Sequence, residues 1–200
     1  LFQTHTGTEL ESIYLIGDFA VRGTVSTRAW RPRCVRFAPD FVITREDARC
    51  HGDLVMAGYP FFAGRISLVA TAQIGTPADG ERIILTLPNL DLPLAKVRVN
   101  QQDAGAILWP PYELDITALA RPGTNAIEVE LITSLRNLLG PHHRLDGERD
   151  DVWGNPHYSA RYDSGKDWYA RRGEPGVEWT DDYFVLACGL KQPMIVEYRI

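Results

Sequence analysis

A chain of 200 residues, 44% hydrophobic and 10% aromatic, carries enough apolar material for one packed domain, whose usual size is about 100 to 200 residues. Its formal charge of −5 and pI near 5.5 work against a nucleic-acid partner, which needs a concentrated basic face. No apolar run approaches the roughly 18 residues of a membrane-spanning helix, so no membrane partner is expected either.

Taken in chain order, the period-2 alternation of apolar and polar residues predicts strands over Ile13 to Ile16, Val35 to Ala38, Phe41 to Thr44, Gly64 to Ile74 and Arg82 to Leu87. It continues over Lys96 to Asn100, Tyr112 to Ile116, Asn125 to Leu131, Tyr183 to Ala187 and Met194 to Arg199. Gly64 to Ile74 is the longest, with Ile66, Leu68, Ala70 and Ala72 on one face. Gly and Pro between most strands argue for an antiparallel sandwich rather than alternating β-α units. Ser134 to Leu139 reads as a single short helix, with Leu135, Leu138 and Leu139 on the packing side and Gly140-Pro141 ending it. Between Gly52 and Gly64, Tyr59, Phe61 and Phe62 form a glycine-bounded aromatic segment ahead of the long strand, suited to core anchoring or to contact with a preceding domain.

Residues 141–182 differ from the rest. Apolar periodicity stops while Gly, Pro, Asp, Arg and aromatics accumulate, which predicts a long irregular excursion. The expected organisation is one β-sandwich domain over 1–200, with its core in about 12–135 and 183–200 and this excursion set outside it. A start at Leu1-Phe2-Gln3 without Met is expected of a processed chain or a piece of a longer polypeptide.

The densest pattern is KVRVNQQDAGAILWPPYELDITALARPGTNAIEVEL, residues 96–131: strand, polar turn, short strand, aromatic-Pro break, edge strand, Pro-Gly turn, strand. Val97, Val99, Asn100, Gly105, Trp109, Pro111, Tyr112, Leu114, Asp115, Ile116, Thr117, Pro122, Gly123 and Asn125 resemble the sugar-binding β-sandwich of glycoside hydrolase family two and related bacterial glycosidases. YLIGDFAVRG (Tyr14 to Gly23) and GDLVMAGYPFFAGRISL (Gly52 to Leu68) look like C-terminal regions of large bacterial glycosidases. The resemblance implies an all-β, antiparallel jelly-roll sandwich of galactose-binding-like type, attached to an upstream catalytic domain of the same polypeptide. In that family the catalytic acid and nucleophile belong to a separate barrel, and nothing here has a barrel's β-α pattern. The expected role is therefore non-catalytic: binding or positioning a saccharide at the C-terminus of a larger glycoside hydrolase. The alternatives are a purely structural brace for the catalytic domain or a free-standing lectin-like protein.

Saccharide recognition needs flat apolar faces and fixed hydrogen-bonding groups. The excursion holds both, giving Trp153, Tyr158, Arg161, Trp168, Trp179 and Asp181 as candidate contacts. Docking interfaces are also rich in Trp, Tyr and Arg, so the same residues equally suit packing on the sandwich or on a neighbouring domain. Trp109 joins the candidates from the Trp109-Pro110-Pro111-Tyr112 corner, which is otherwise expected to be architectural. Asp115 is expected to satisfy turn amides rather than to act as an acid.

His142-His143 ahead of Asp146, Glu148, Asp150 and Asp151 lacks the spacing of a zinc site or an EF-hand, so no metal site is assigned. The resemblance allows one structural calcium ion held by loop carboxylates; no other cofactor is expected. Cys34, Cys50 and Cys188 have no metal-type spacing. A Cys34–Cys50 bridge is open to an exported protein, and export to the periplasm or medium is the favoured compartment.

Overall fold

The computed structural model describes residues 13–28, 33–47, 52–140, 142–143 and 180–200. Among them the strands are β1 (Ala20–Arg22), β2 (Val25–Arg28), β3 (Cys34–Phe37), β4 (Val42–Thr44), β5 (Gly52–Asp53), β6 (Arg65–Ile74), β7 (Arg82–Thr86) and β8 (Leu90–Asp91). There follow β9 (Leu94–Val99), β10 (Gln102–Ile107), β11 (Glu113–Asp115), β12 (Gly123–Ile132), the short helix α1 (Arg136–Leu139), β13 (Tyr183–Leu186), β14 (Gly189–Leu190) and β15 (Ile195–Arg199). Every ladder is antiparallel. No helix among the described residues is long and apolar enough to cross a membrane.

The body of the protein is an all-β sandwich. One sheet runs in the order β10-β9-β12-β6 and faces a second, β11-β7-β15. Period-2 alternation builds the first sheet: Val97 and Val99 of β9 and Ile127, Val129 and Leu131 of β12 are buried on one face. The register places Val97 opposite Val129 and Val129 opposite Leu68, so the apolar residues of three strands lie in rows. Ile83, Leu85 and Leu87 close the core from the second sheet, with Ile107 and Ile116 at its edges. On the outer face the same register sets Lys96 against Glu130 and Arg98 against Glu128. These pairs are solvated, so their value lies in fixing register more than in stability.

Three smaller sheets (β1-β4, β13-β3-β2 and β5-β14-β8) complete the described chain. A second core of Phe37, Val55 and Val185, with Phe41, Phe61 and Tyr183 against it, holds them together. Phe41 is its hub, with ring centroids 4.9 Å from Phe61 and 5.1 Å from Tyr183. Of Tyr59, Phe61 and Phe62, Phe61 packs into this core, whereas Phe62 and Tyr59 pack on each other with ring centroids 5.8 Å apart. At β14, Gly189 has φ +131° and leaves no room for a Cβ against the carbonyl of Gly52, so the three-strand arrangement depends on glycine there.

Two local expectations fail. Ile13 to Ile16 forms no strand: all four side chains are exposed and no described strand lies beside them. Apolar β-formers supply propensity, but a strand also needs a partner edge. In α1, Leu135 and Leu139 are exposed and the buried residue is Asn137. Its amide explains this: Nδ2 donates to the Leu186 carbonyl at 2.7 Å and Oδ1 accepts from the Leu186 amide at 2.8 Å. One side chain thus pairs with β13 as a strand backbone would. Cys34 is a free thiol, and Cys50 lies outside the described residues.

Candidate functional site

The β10–β11 corner presents the chain's most accessible described aromatic. Trp109 is 71% exposed, and Leu108 beside it is exposed as well. Its backbone is fixed from both sides. The Pro110–Pro111 bond is cis, Tyr112 takes φ +57°, and the Tyr112 amide donates to the Trp109 carbonyl at 3.1 Å. The Tyr112 carbonyl accepts from Leu87 at 3.0 Å, tying the corner to the end of β7. Tyr112 packs against the main core while Trp109 stands free of it. The corner therefore offers a flat, solvent-facing indole on which a ligand can stack.

Tyr112 also lines a pocket of about 340 Å³. Its walls come from separate stretches of chain: Phe62, the Leu90–Pro93 segment around β8, Thr133 to Asn137 at α1, and Leu186 to Cys188. Asp91 sits at the charged side, paired with Arg33 and with Lys191 at 2.9 Å. Arg136 adds a further guanidinium, and Phe62, Leu92 and Tyr112 give an apolar wall. The mixture of an apolar wall with few fixed polar groups suits a small polar ligand.

Several described carboxylates are bound up in local hydrogen bonds and ion pairs. Those with a resolved shift move downward, toward the ionised form. The Thr117 hydroxyl, then its amide, holds Asp115 low. The Thr24 hydroxyl and amide do the same for Asp40, and the Arg199 guanidinium does so for Glu113. Asp115 behaves as the sequence predicts: its Oδ1 accepts from Thr117 N at 2.9 Å and Oγ1 at 2.5 Å. The Thr117 hydroxyl oxygen in turn accepts from Ile83 at 2.8 Å, so the motif joins the corner after β11 to β7.

The motif asparagines are also architectural. Asn100 Nδ2 donates to Asn125 Oδ1 at 2.8 Å and to the Leu119 carbonyl at 3.1 Å, while its Oδ1 accepts from Ala126 at 3.1 Å. Asn100 and Gln101 both have positive φ, the signature of a two-residue hairpin turn. That turn is thereby bonded to the segment leading into β12.

Of the candidates in the excursion, Trp153, Tyr158, Arg161, Trp168 and Trp179 lie outside the described residues. Its two ends are described, and they meet. Thr180 N donates to the His143 carbonyl at 3.0 Å, and Phe184 N donates to the His142 carbonyl at 2.7 Å. Asp181 is exposed there, whereas its neighbour Asp182 forms a 2.6 Å ion pair with Arg36 and accepts from the Ser26 hydroxyl at 3.1 Å. The structure does not bring Asp181 and Trp109 to one pocket: neither lines the 340 Å³ cavity.

His142 and His143 pack as aromatics. The His142 ring lies 5.6 Å from Phe61, and that of His143 lies 4.4 Å from Tyr183. His142 Nε2 donates to the Asn137 carbonyl at 2.7 Å, which fixes its tautomer. No group of three or more His, Cys, Asp or Glu converges among the described residues; Asp146, Glu148, Asp150 and Asp151 lie outside them. Burial lowers the His142 pKa from 6.5, so the fold favours the neutral imidazole more than the unfolded chain does. Stability carried by this group is fully present above pH 6.5 and is lost as pH falls through 6.5 toward the lower folded pKa. Urea midpoints should fall between pH 7.5 and pH 5.5, and His142→Gln should flatten that fall; an unchanged slope in the variant would assign the pH dependence elsewhere.

No family model matches this sequence, and no curated protein matches it. Among solved structures it is similar to a rhamnosidase from Novosphingobium sp. PP1Y, at 21% identity over 96% of this chain and 16% of that one, with a TM-score of 0.45. It is also similar to the beta-D-glucuronidase of Dictyoglomus thermophilum, at 14% identity over 91% of this chain and 26% of that one, TM-score 0.39. A third is the beta-glucuronidase of Bifidobacterium dentium, at 14% identity over 85% of this chain and 28% of that one, TM-score 0.35. The chain spans under a third of each of these proteins, so their activities belong to much longer polypeptides.

Proposed function

We propose that this chain is a non-catalytic module of a larger glycoside hydrolase, and that it holds or positions a saccharide beside the catalytic domain. The observation that carries the reading is Trp109: a 71%-exposed indole on a corner fixed by two prolines and two backbone hydrogen bonds. An indole held in this way offers the flat apolar face that the C–H side of a pyranose stacks on. The pocket next to Tyr112, with Arg33, Asp91 and Arg136 beside Phe62 and Leu92, supplies polar groups of the kind that fix sugar hydroxyls. The sequence resemblance of residues 96–131 supports the same family of roles.

Trp109→Ala is expected to weaken saccharide binding about tenfold, equivalent to ~1.4 kcal/mol, while leaving the thermal midpoint unchanged. Calorimetric titration beside a thermal melt checks both halves. Aryl-glycoside hydrolysis should not exceed the buffer rate. Turnover that a single carboxylate substitution abolishes would replace the binding reading with a catalytic one.

The structural-brace reading has its own support. Asn100, Asn125, Asp115 and Thr117, four of the residues behind the family resemblance, spend their polar groups inside the fold. A brace predicts that Trp109→Ala leaves every saccharide titration flat and instead weakens association with the catalytic domain.

A further inference from the structure

Two exposed apolar features of this chain complement one another. The first is the segment Ile13-Tyr14-Leu15-Ile16, whose side chains are 51% to 96% exposed. Four consecutive large β-forming residues in water are a costly arrangement for a soluble surface. The second is β6. It is the last strand of its sheet, so among the described residues its outer edge of N–H and C=O groups has no ladder partner. A groove of about 1240 Å³ runs beside it.

The lining of that groove identifies it as a strand edge. Residues Ile66 to Gln73 contribute in unbroken succession, from both faces of the sheet, and Met194 and Val196 stand opposite. The core-facing row Ile66, Leu68, Ala70 and Ala72 is only half-buried, in contrast to the fully buried rows of β9 and β12. Edge strands are normally guarded by lysine, proline or a bulge. Here Ile66 to Ile74 holds no charge and no proline, and its ten-residue pairing with β12 has no register shift. The Ile13–Ile16 segment is equally uncharged.

The strand directions relate the two features. β1 pairs with β4 so that Ala20 faces Thr44, and the chain preceding Ala20 therefore leaves alongside the residues following Thr44. Glu46 and Asp47 of that following segment line the groove. Tyr59 beside them donates to Glu46 at 3.4 Å. The apolar arm ends three residues before β1 and does not line the groove.

We propose that the Ile13–Ile16 arm of one copy of this chain adds as an extra strand to the β6 edge of a second copy, with the exchange reciprocated about a two-fold axis. Each copy carries both arm and acceptor, so a two-fold pair satisfies both twice, which is the condition for a closed isologous dimer. Main-chain bonds to β6 supply the affinity, and the half-buried row with Met194 and Val196 receives alternate arm side chains.

Sedimentation velocity over a concentration series of the 200-residue chain tests this. The expected result is a reversible dimer. Leu15→Asp and Val69→Lys each place a charge at an exposed position, so the monomer fold is retained, and each should weaken self-association at least about tenfold. A synthetic peptide spanning Glu11 to Asp18, added in excess to wild type, should dissociate it. A chain that stays monomeric at every concentration would overturn the proposal, including a monomer whose own arm is protected from hydrogen exchange. So would a dimer that Leu15→Asp and the peptide leave untouched.

Discussion

Asn125→Ala is expected to lower the free energy of unfolding by about 3–5 kcal/mol, the largest effect of any single polar substitution among the described residues. Asn125 is fully buried at the start of the long β12 strand. Its Oδ1 accepts from Asn100 at 2.8 Å and from the Arg121 amide at 3.0 Å. Its Nδ2 donates to the carbonyls of Arg121 at 2.7 Å and Gly123 at 3.0 Å. Alanine removes both ends of the amide and leaves its partners to find water at a site with no access to it. Each stranded group costs roughly 1–3 kcal/mol, and the loss is compounded because Asn100 positions the β9–β10 turn. Asn125→Asp should be nearly as damaging, since it keeps the acceptors, forfeits the donors and buries a charge. The check is the denaturant midpoint at constant m-value. A loss below about 1 kcal/mol would mean that the network is filled by water and does not brace the sandwich.

The second large effect is expected from Leu85→Ala, also about 3–5 kcal/mol, from lost transfer energy together with the cavity left behind. Leu85 is fully buried in β7, the central strand of its sheet, in register with Leu114 on one side and Val196 on the other. A central position gives the surrounding strands little freedom to collapse onto the gap. The matched control is Val69→Ala on the exposed face of β6, expected to change stability by less than about 0.5 kcal/mol. Equal losses at the two positions would contradict the two-sheet core, because they would place Val69 and Leu85 in like environments.

The long strands could be read from the sequence because they follow one rule. In β6, β9 and β12 burial alternates residue by residue, and the hydrophobic pattern carries that alternation. The short pairings could not be read in this way. β5, β8 and β14 are two residues each and exist because Gly189 lets Gly52 approach, a tertiary condition with no local signal beyond the glycine. Ile13 to Ile16 shows the reverse error: strong β propensity without a neighbouring edge. In α1, the leucines led the reading to the wrong face, because hydrophobicity cannot reveal that Asn137 substitutes for a strand backbone against Leu186.

The candidate site divides along the same line. The corner that carries Trp109 was legible as architecture, since two prolines between aromatics announce a fixed turn. Asp115 was legible as a turn residue from the Thr two positions on. Phe62, Asp91 and Arg136 were missed, because the pocket gathers them from separate segments and no spacing connects them. Asn100 and Asn125 were visible within the family pattern, yet only the bonds between them reveal that they serve the fold.

The central claim is saccharide binding without turnover, and a glycan array probed with wild type, Trp109→Ala and Trp168→Ala tests it most directly. Binding to a defined glycan class that either tryptophan substitution weakens at least about tenfold is the predicted result. Wild-type protein that binds no glycan on the array would contradict it and leave the chain as a structural brace.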